Sequence, residues 1–159
     1  MNPTLERFGY PDTSVREYEH WVVLLRPVQT TPLSCVIAAR ASVLSIGSLN
    51  ESAGAELPRV IRDYEATIRR IVPAEKFNYL ALMMVDPNPH FHAIPRFIAP
   101  VVLNGTAYID ACYPKPPNVL LGNDIDQTTH DAWRVLLAMN WQGQGDAPGQ
   151  STDSPSTER

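Results

Sequence analysis

The residues of this 159-residue chain best equipped for chemistry sit together in Asp86-Pro87-Asn88-Pro89-His90-Phe91-His92-Ala93-Ile94-Pro95-Arg96. Successive side chains on a strand point to opposite faces, so Asn88, His90 and His92 share one face while Phe91 and Ala93 take the other. Imidazole is the side chain whose ordinary pKa lies nearest neutrality. A neutral ring can therefore act as nucleophile or base, and a protonated neighbour as acid. The amide of Asn88 can donate or accept a hydrogen bond but exchanges no proton near neutral pH. Two other readings share this spacing: a metal held from a strand, or half-buried polar residues with no chemistry. A metal would need one or two further ligands, for which His20, Asp86 and Asp110 are the candidates; no second H-x-H or H-x-x-x-H accompanies them.

The elements that must position this strand are legible on both sides of it. Phe77 to Val85 is an apolar run of the buried-strand kind, with Met83 and Met84 as core filler. Asp86 to Pro89 is then a tight turn, which pairs the histidine strand directly with that run. Upstream, Tyr18 to Leu25 reads as a strand closed by Arg26-Pro27, and Ser34 to Ala39 as its antiparallel hairpin partner. Asn50 or Ser48 caps a helix in which Ala53, Leu57, Val60, Ile61, Tyr64, Ile68 and Ile71 recur at steps of three and four, with Pro73 beyond its end. Pro58 inside that pattern predicts either a kink or a regular helix beginning only near Leu57. Downstream, Asn104-Gly105 is a type I′ turn signal between Val101–Leu103 and Thr106–Asp110, and Thr128 or Thr129 caps a last helix carrying Trp133, Leu136 and Leu137. The pattern predicts an α+β fold: an antiparallel sheet of about five strands, one main helix packed on it and a C-terminal helix. Residues 1–14 are expected as an irregular arm, 15–141 as the folded domain and 142–159 as a disordered tail.

Composition narrows the function classes. A content of 44% hydrophobic and 19% charged residues is that of a soluble protein with one real core. A formal net charge of -4, with no basic cluster beyond Arg69-Arg70, argues against a polymeric nucleic acid partner. No apolar run approaches the length needed to cross a bilayer, so the expectation is a cytoplasmic protein without a membrane partner. Cys35 and Cys112 stand far apart and form no C-x-x-C, which fits reduced thiols. His20 and His130 belong to no spaced motif and are expected at the surface.

The wording Asn-Pro-His-Phe-His-Ala-Ile-Pro-Arg, preceded by the apolar run from Phe77, resembles the histidine-triad (HIT) family, whose signature is three histidines at alternating positions followed by Pro-Arg. With Pro95-Arg96 in register, His92 falls on the third histidine, His90 on the central one and Asn88 on the first. Pro89 stands where an apolar spacer is usual, and Leu33 where many relatives have glycine. The looser likeness runs from about Glu19 to Pro117 and includes His20-Trp21-Val22-Val23-Leu24-Leu25-Arg26-Pro27. The resemblance implies a HIT-like fold, commonly a homodimer, acting without cofactor or metal at the α-phosphorus of a nucleotide derivative. It makes His90 the nucleophile that forms a nucleotidyl-histidine, His92 its catalytic neighbour and Asn88 an orienting group. Trp21, Arg26, Asp86 and Arg96 are the substrate-binding candidates, with Arg26 better suited to an anionic group than to a ribose and Arg96 alternatively a surface or interface ion-pair residue. The alternatives are a nucleotide or phospho-ligand binding protein without turnover, and a metal enzyme built on His90 and His92.

Overall fold

A computed structural model describes residues 2–143. Strands β1 (Ser14–Glu17), β2 (Trp21–Leu25), β3 (Cys35–Ala39), β4 (Lys76–Leu80) and β5 (His90–Arg96) form one sheet in the order β1-β2-β3-β5-β4. Every neighbouring pair is antiparallel. Helix α1 (Pro3–Arg7) precedes the sheet, α2 (Glu51–Ile71) connects β3 to β4, and α3 (Gln127–Asn140) closes the described chain. A separate hairpin, β6 (Val101–Leu103) and β7 (Thr106–Tyr108), turns at Asn104 and Gly105, which have φ of 50° and 78°. Both central residues are thus left-handed, as a type I′ turn requires.

The register sets two faces. Val22, Ala38 and His90 form one cross-strand row, and Leu24, Val36 and His92 the next. Trp21 with Ala39, and Val23 with Ile37 and Phe91, point the other way. That second face carries the larger core, where Val60, Tyr64 and Ile68 of α2 and Trp133 and Leu137 of α3 pack on Val23, Leu25, Cys35 and Ile37. Asn50 caps α2 by accepting from the Ala53 amide, and the helix runs from Glu51 with Pro58 inside it rather than starting near Leu57. The missing proline donor is offset by the apolar stripe the helix buries. Asp126, not Thr128 or Thr129, caps α3, accepting from the Thr129 amide.

The other face is covered by the N-terminal segment, which is not an irregular arm. Asn2 accepts from the Leu5 amide and Pro3 occupies the first helical turn, where its missing donor costs nothing. At the far end the Gly9 amide donates to Glu6 and the Tyr10 amide to Leu5, with Gly9 at φ 84°. This paired arrangement satisfies carbonyls that a helix end would otherwise leave bare. Leu5 and Phe8 then pack on Val22, Leu24, Val36 and Ala38.

Three further expectations are corrected. β4 ends at Leu80, opposite His92, so residues 81–89 form a long connection rather than strand and tight turn. Met84 is consequently 83% exposed instead of core, and Leu82 and Val85 are exposed with it. β1 is an additional edge strand that its polar sequence did not announce. Leu33 sits in the left-handed region at φ 68° and is fully buried. That conformation costs a leucine roughly 1–2 kcal/mol, which burial of a whole side chain, roughly 1.5–3 kcal/mol, outweighs. The expected tail from 142 lies outside the described residues from 144 onward; within them, Trp141 is buried and donates to the Tyr18 hydroxyl.

Candidate functional site

His90 and His92 stand side by side on β5, with ring centroids 5.0 Å apart and planes at 82°. They are 1% and 6% exposed. Strand alternation puts both on the α1 face, and the residues facing them across β3 are small or aliphatic, Ala38 and Val36. Phe8 lies over the pair, its ring centroid 5.5 Å from that of His90 and 5.7 Å from that of His92.

The hydrogen bonds fix how each ring carries its proton. His90 Nδ1 is 2.7 Å from the backbone carbonyl of Asn88. A carbonyl only accepts, so Nδ1 bears the hydrogen and Nε2 keeps the lone pair. His92 has the opposite tautomer: its Nδ1 lies 3.2 Å from Arg26 Nε, which only donates, so its hydrogen is on Nε2. One ring thus offers a nucleophile and its neighbour a donor.

Burial, then the nearby Arg26 cation and His90, lower the pKa of His92 from its ordinary range to about 4. The unfolded chain protonates this residue near its ordinary pKa of ~6.5, and the folded chain only near 4. Its stabilising contribution is therefore complete above ~6.5 and is lost as pH falls from there to about 4. Allowing for screening, the loss is about 2 kcal/mol. Urea unfolding of the native chain and of His92→Gln across this window is expected to show that drop in the first and a flatter profile in the second.

The remaining predicted residues fall in different places. Asn88 lies in the connection before β5, and its side chain is spent on structure: Oδ1 accepts from the Thr4 hydroxyl, and Nδ2 donates to the Val43 carbonyl. Its backbone carbonyl, not its amide group, meets His90. Arg26 follows β2 on the histidine face and is buried against His92. Asp86 pairs with Arg7 of α1, Nε to Oδ1 2.9 Å. Trp21 is on the wrong face for a substrate contact: it is fully buried, packs near Phe91 and donates to the Ala53 carbonyl. Its parity in β2 is opposite to that of Val22, whose row contains His90. Arg96 is neither a surface residue nor free to bind substrate. It is 3% exposed, and its guanidinium is engaged by both Asp110 oxygens, Asn78 Oδ1 and the Lys115 carbonyl.

His130 is also not at the surface; it is buried, with Nε2 3.2 Å from the Arg26 carbonyl. Sequence reasoning missed Thr4; Phe8 was expected, with Tyr10, only as an aromatic that could dock the N-terminal arm, and α1 brings it over the histidines. The signals were the Asn2-Pro3 start and Gly9 stop of that helix. No group of three His, Cys, Asp or Glu side chains among the described residues is placed to hold a metal ion. No helix among the described residues is long and apolar enough to cross a membrane.

The sheet, its helical backing and the strand-borne pair of histidines define an α+β protein with a two-imidazole site at the start of one central strand. A histidine-triad protein of Bradyrhizobium japonicum superposes on 89% of this chain and 97% of its own, with TM-score 0.69 and 19% identity. One from Sinorhizobium meliloti matches 88% and 95%, with TM-score 0.66 and 18% identity. A hypothetical histidine triad nucleotide-binding protein of Sulfolobus tokodaii matches 80% and 82%, with TM-score 0.61 and 16% identity. The chain has the histidine-triad fold. No family model matches its sequence, and no curated protein does.

Proposed function

We propose that this protein is a nucleotide hydrolase or nucleotidyl transferase in which His90 attacks the α-phosphorus of a nucleotide derivative such as a dinucleoside polyphosphate or phosphoramidate. The observation that carries the reading is the 2.7 Å contact of His90 Nδ1 with the Asn88 carbonyl, which leaves the Nε2 lone pair available. Attack forms the Nε2–P bond and expels the leaving group with the electron pair of its bond to phosphorus; solvent protonates it as needed. The ring becomes an imidazolium whose charge the Asn88 carbonyl stabilises. Water, or another acceptor, then adds to phosphorus, the N–P bond breaks, and the pair returns to Nε2 while the acceptor's proton leaves to solvent. Neutral His92 serves as a hydrogen-bond donor to the phosphoryl or leaving-group oxygen and does not give up its remaining proton. Loss of a histidine at 88 is tolerated on this account because the backbone carbonyl does the orienting.

With α1 seated, Phe8 lies over both imidazoles and leaves them almost without solvent exposure. Turnover therefore requires the Pro3–Gly9 segment to leave the histidine face, and it is held there by Asn2 to the Ala39 carbonyl, Thr4 to Asn88, and Arg7 to Asp86. Phe8→Ala is expected to raise kcat several-fold while lowering stability by about 3 kcal/mol. Rates on a nucleotide panel beside thermal unfolding check both signs.

A second reading, a nucleotide or phospho-ligand binding protein without turnover, is favoured by the same burial of His90. Binding by calorimetry with no mononucleotide release over hours would select it. A homodimer is proposed through the outer edge of β4, which among the described residues pairs on only one side; light scattering is expected to give twice the chain mass of 17.7 kDa.

A further inference from the structure

Arg26 is a buried cation with no counter-charge among the described residues, and its placement has a chemical consequence. It continues the parity of Val22 and Leu24, so its side chain falls on the histidine face just past the end of β2. Only 6% of it is exposed, and no carboxylate lies within ion-pair distance of it among the described residues. Neutral acceptors hold it instead: Nη1 donates to the Val28 carbonyl and the Thr30 hydroxyl, and Nη2 to the Val119 carbonyl. Its backbone carbonyl is in turn the partner of His130 Nε2. Two chain segments, Val28 to Thr30 and Val119, thus clamp the guanidinium, and His130 holds the Arg26 backbone, so that its Nε–H meets His92 Nδ1.

Burying a lone cation is expensive, and a methionine of similar volume would fill the same space without that cost. What the methionine lacks is a fixed donor. Arginine retains its proton and presents only N–H groups, so a ring nitrogen facing it is compelled to accept. A carboxylate or carbonyl in that place would select the other tautomer and turn a lone pair toward the reaction space, where it would repel phosphoryl oxygens.

We infer that Arg26 is a positioning residue that locks His92 in the Nε2–H tautomer, so that its donor meets the charge developing on the phosphoryl or leaving-group oxygen. The tautomer follows from the hydrogen-bond geometry alone; its catalytic consequence rests on the reading of His90 as nucleophile. The guanidinium charge lies one ring away from the reacting atoms and touches them only through His92.

The test is ring-nitrogen NMR on the full chain, near neutral pH, with ¹⁵N-labelled histidine and two-bond proton correlations. Native protein is expected to show His92 wholly as the Nε2–H form. Arg26→Met is expected to show both neutral forms, and Arg26→Lys, which keeps the charge but not the in-plane Nε–H, likewise. Thr30→Val keeps the guanidinium and loosens one anchor, giving a smaller admixture; it decides the matter if the Met variant fails to fold. On whichever nucleotide the native protein cleaves, Arg26→Met should lose on the order of 10²-fold in kcat with KM little changed. An Nδ1–H His92 in the native chain, an unaltered Nε2–H form in both Arg26→Met and Thr30→Val, or a loss confined to KM would overturn the inference. If no nucleotide is cleaved at all, the hydrolase reading fails, while the tautomer result still decides the positioning role.

Discussion

Asp110→Ala is expected to destabilise the protein by about 3–5 kcal/mol, the range for removing one partner of a buried ion pair. The carboxylate is the hub of the far end of the histidine strand. Oδ2 accepts from Arg96 Nε at 2.7 Å and from the Phe97 amide, and Oδ1 from Arg96 Nη2 and the Cys112 and Tyr113 amides. Alanine would leave Arg96 charged and buried, with only Asn78 and the Lys115 carbonyl to hold it. Asp110→Asn keeps the shape and the acceptor but not the charge, and should cost roughly half as much. Because Arg96 closes β5 against β4, the loss should appear as a cooperative fall in the urea midpoint. A change within ~0.5 kcal/mol, the size expected of a surface site, would mean that Arg96 is solvated after all.

His90→Ala is expected to abolish turnover, by at least about 10⁴-fold, since His92 Nδ1 is turned to Arg26 and its Nε2 carries hydrogen, leaving no second imidazole lone pair for phosphorus. Stability should change far less in proportion, as the ring makes one backbone hydrogen bond and packs on Phe8. The more informative comparison is with position 88. If the side chain of Asn88 were catalytic, Asn88→Ala would approach the His90→Ala loss, and Asn88→His, restoring three histidines, would raise the rate. The hydrogen bonds assign that side chain to Thr4 and Val43. Both variants are therefore expected to loosen α1 and to lower stability by about 1–3 kcal/mol, the cost of leaving buried polar groups unpaired. Any effect on rate should follow from easier opening and not from restored proton chemistry.

Local signals carried most of what the sequence revealed. Alternation identified the histidine strand, the three-and-four periodicity the existence of α2 with Asn50 as one of two candidate caps, and Asn104-Gly105 the hairpin, because each of these is decided by residues within a few positions of one another. The misjudged features depend on partners distant in sequence. Whether Trp21 faces His90 is settled only by the register of β3 between them. Arg96 is buried because Asp110 comes back to meet it from beyond the β6–β7 hairpin. The apolar run from Phe77 leaves the sheet at Leu80, opposite His92, two residues short of the start of β5, and no residue within the run marks that point. Helix α1 is a different case: Asn2, Pro3 and Gly9 are proper start and stop residues, but five helical residues are too few for periodicity to draw attention to them.

The measurement closest to the central claim is intact mass of the native chain and of His90→Ala within seconds of mixing with adenylate and guanylate phosphoramidates and dinucleoside polyphosphates, with released mononucleotide followed alongside. A transient mass gain of one nucleotidyl group is expected on the native chain, mapped to His90 and absent from the variant, together with mononucleotide release that also vanishes. Mononucleotide release that persists in His90→Ala, or an adduct mapped to any other residue, would contradict that claim.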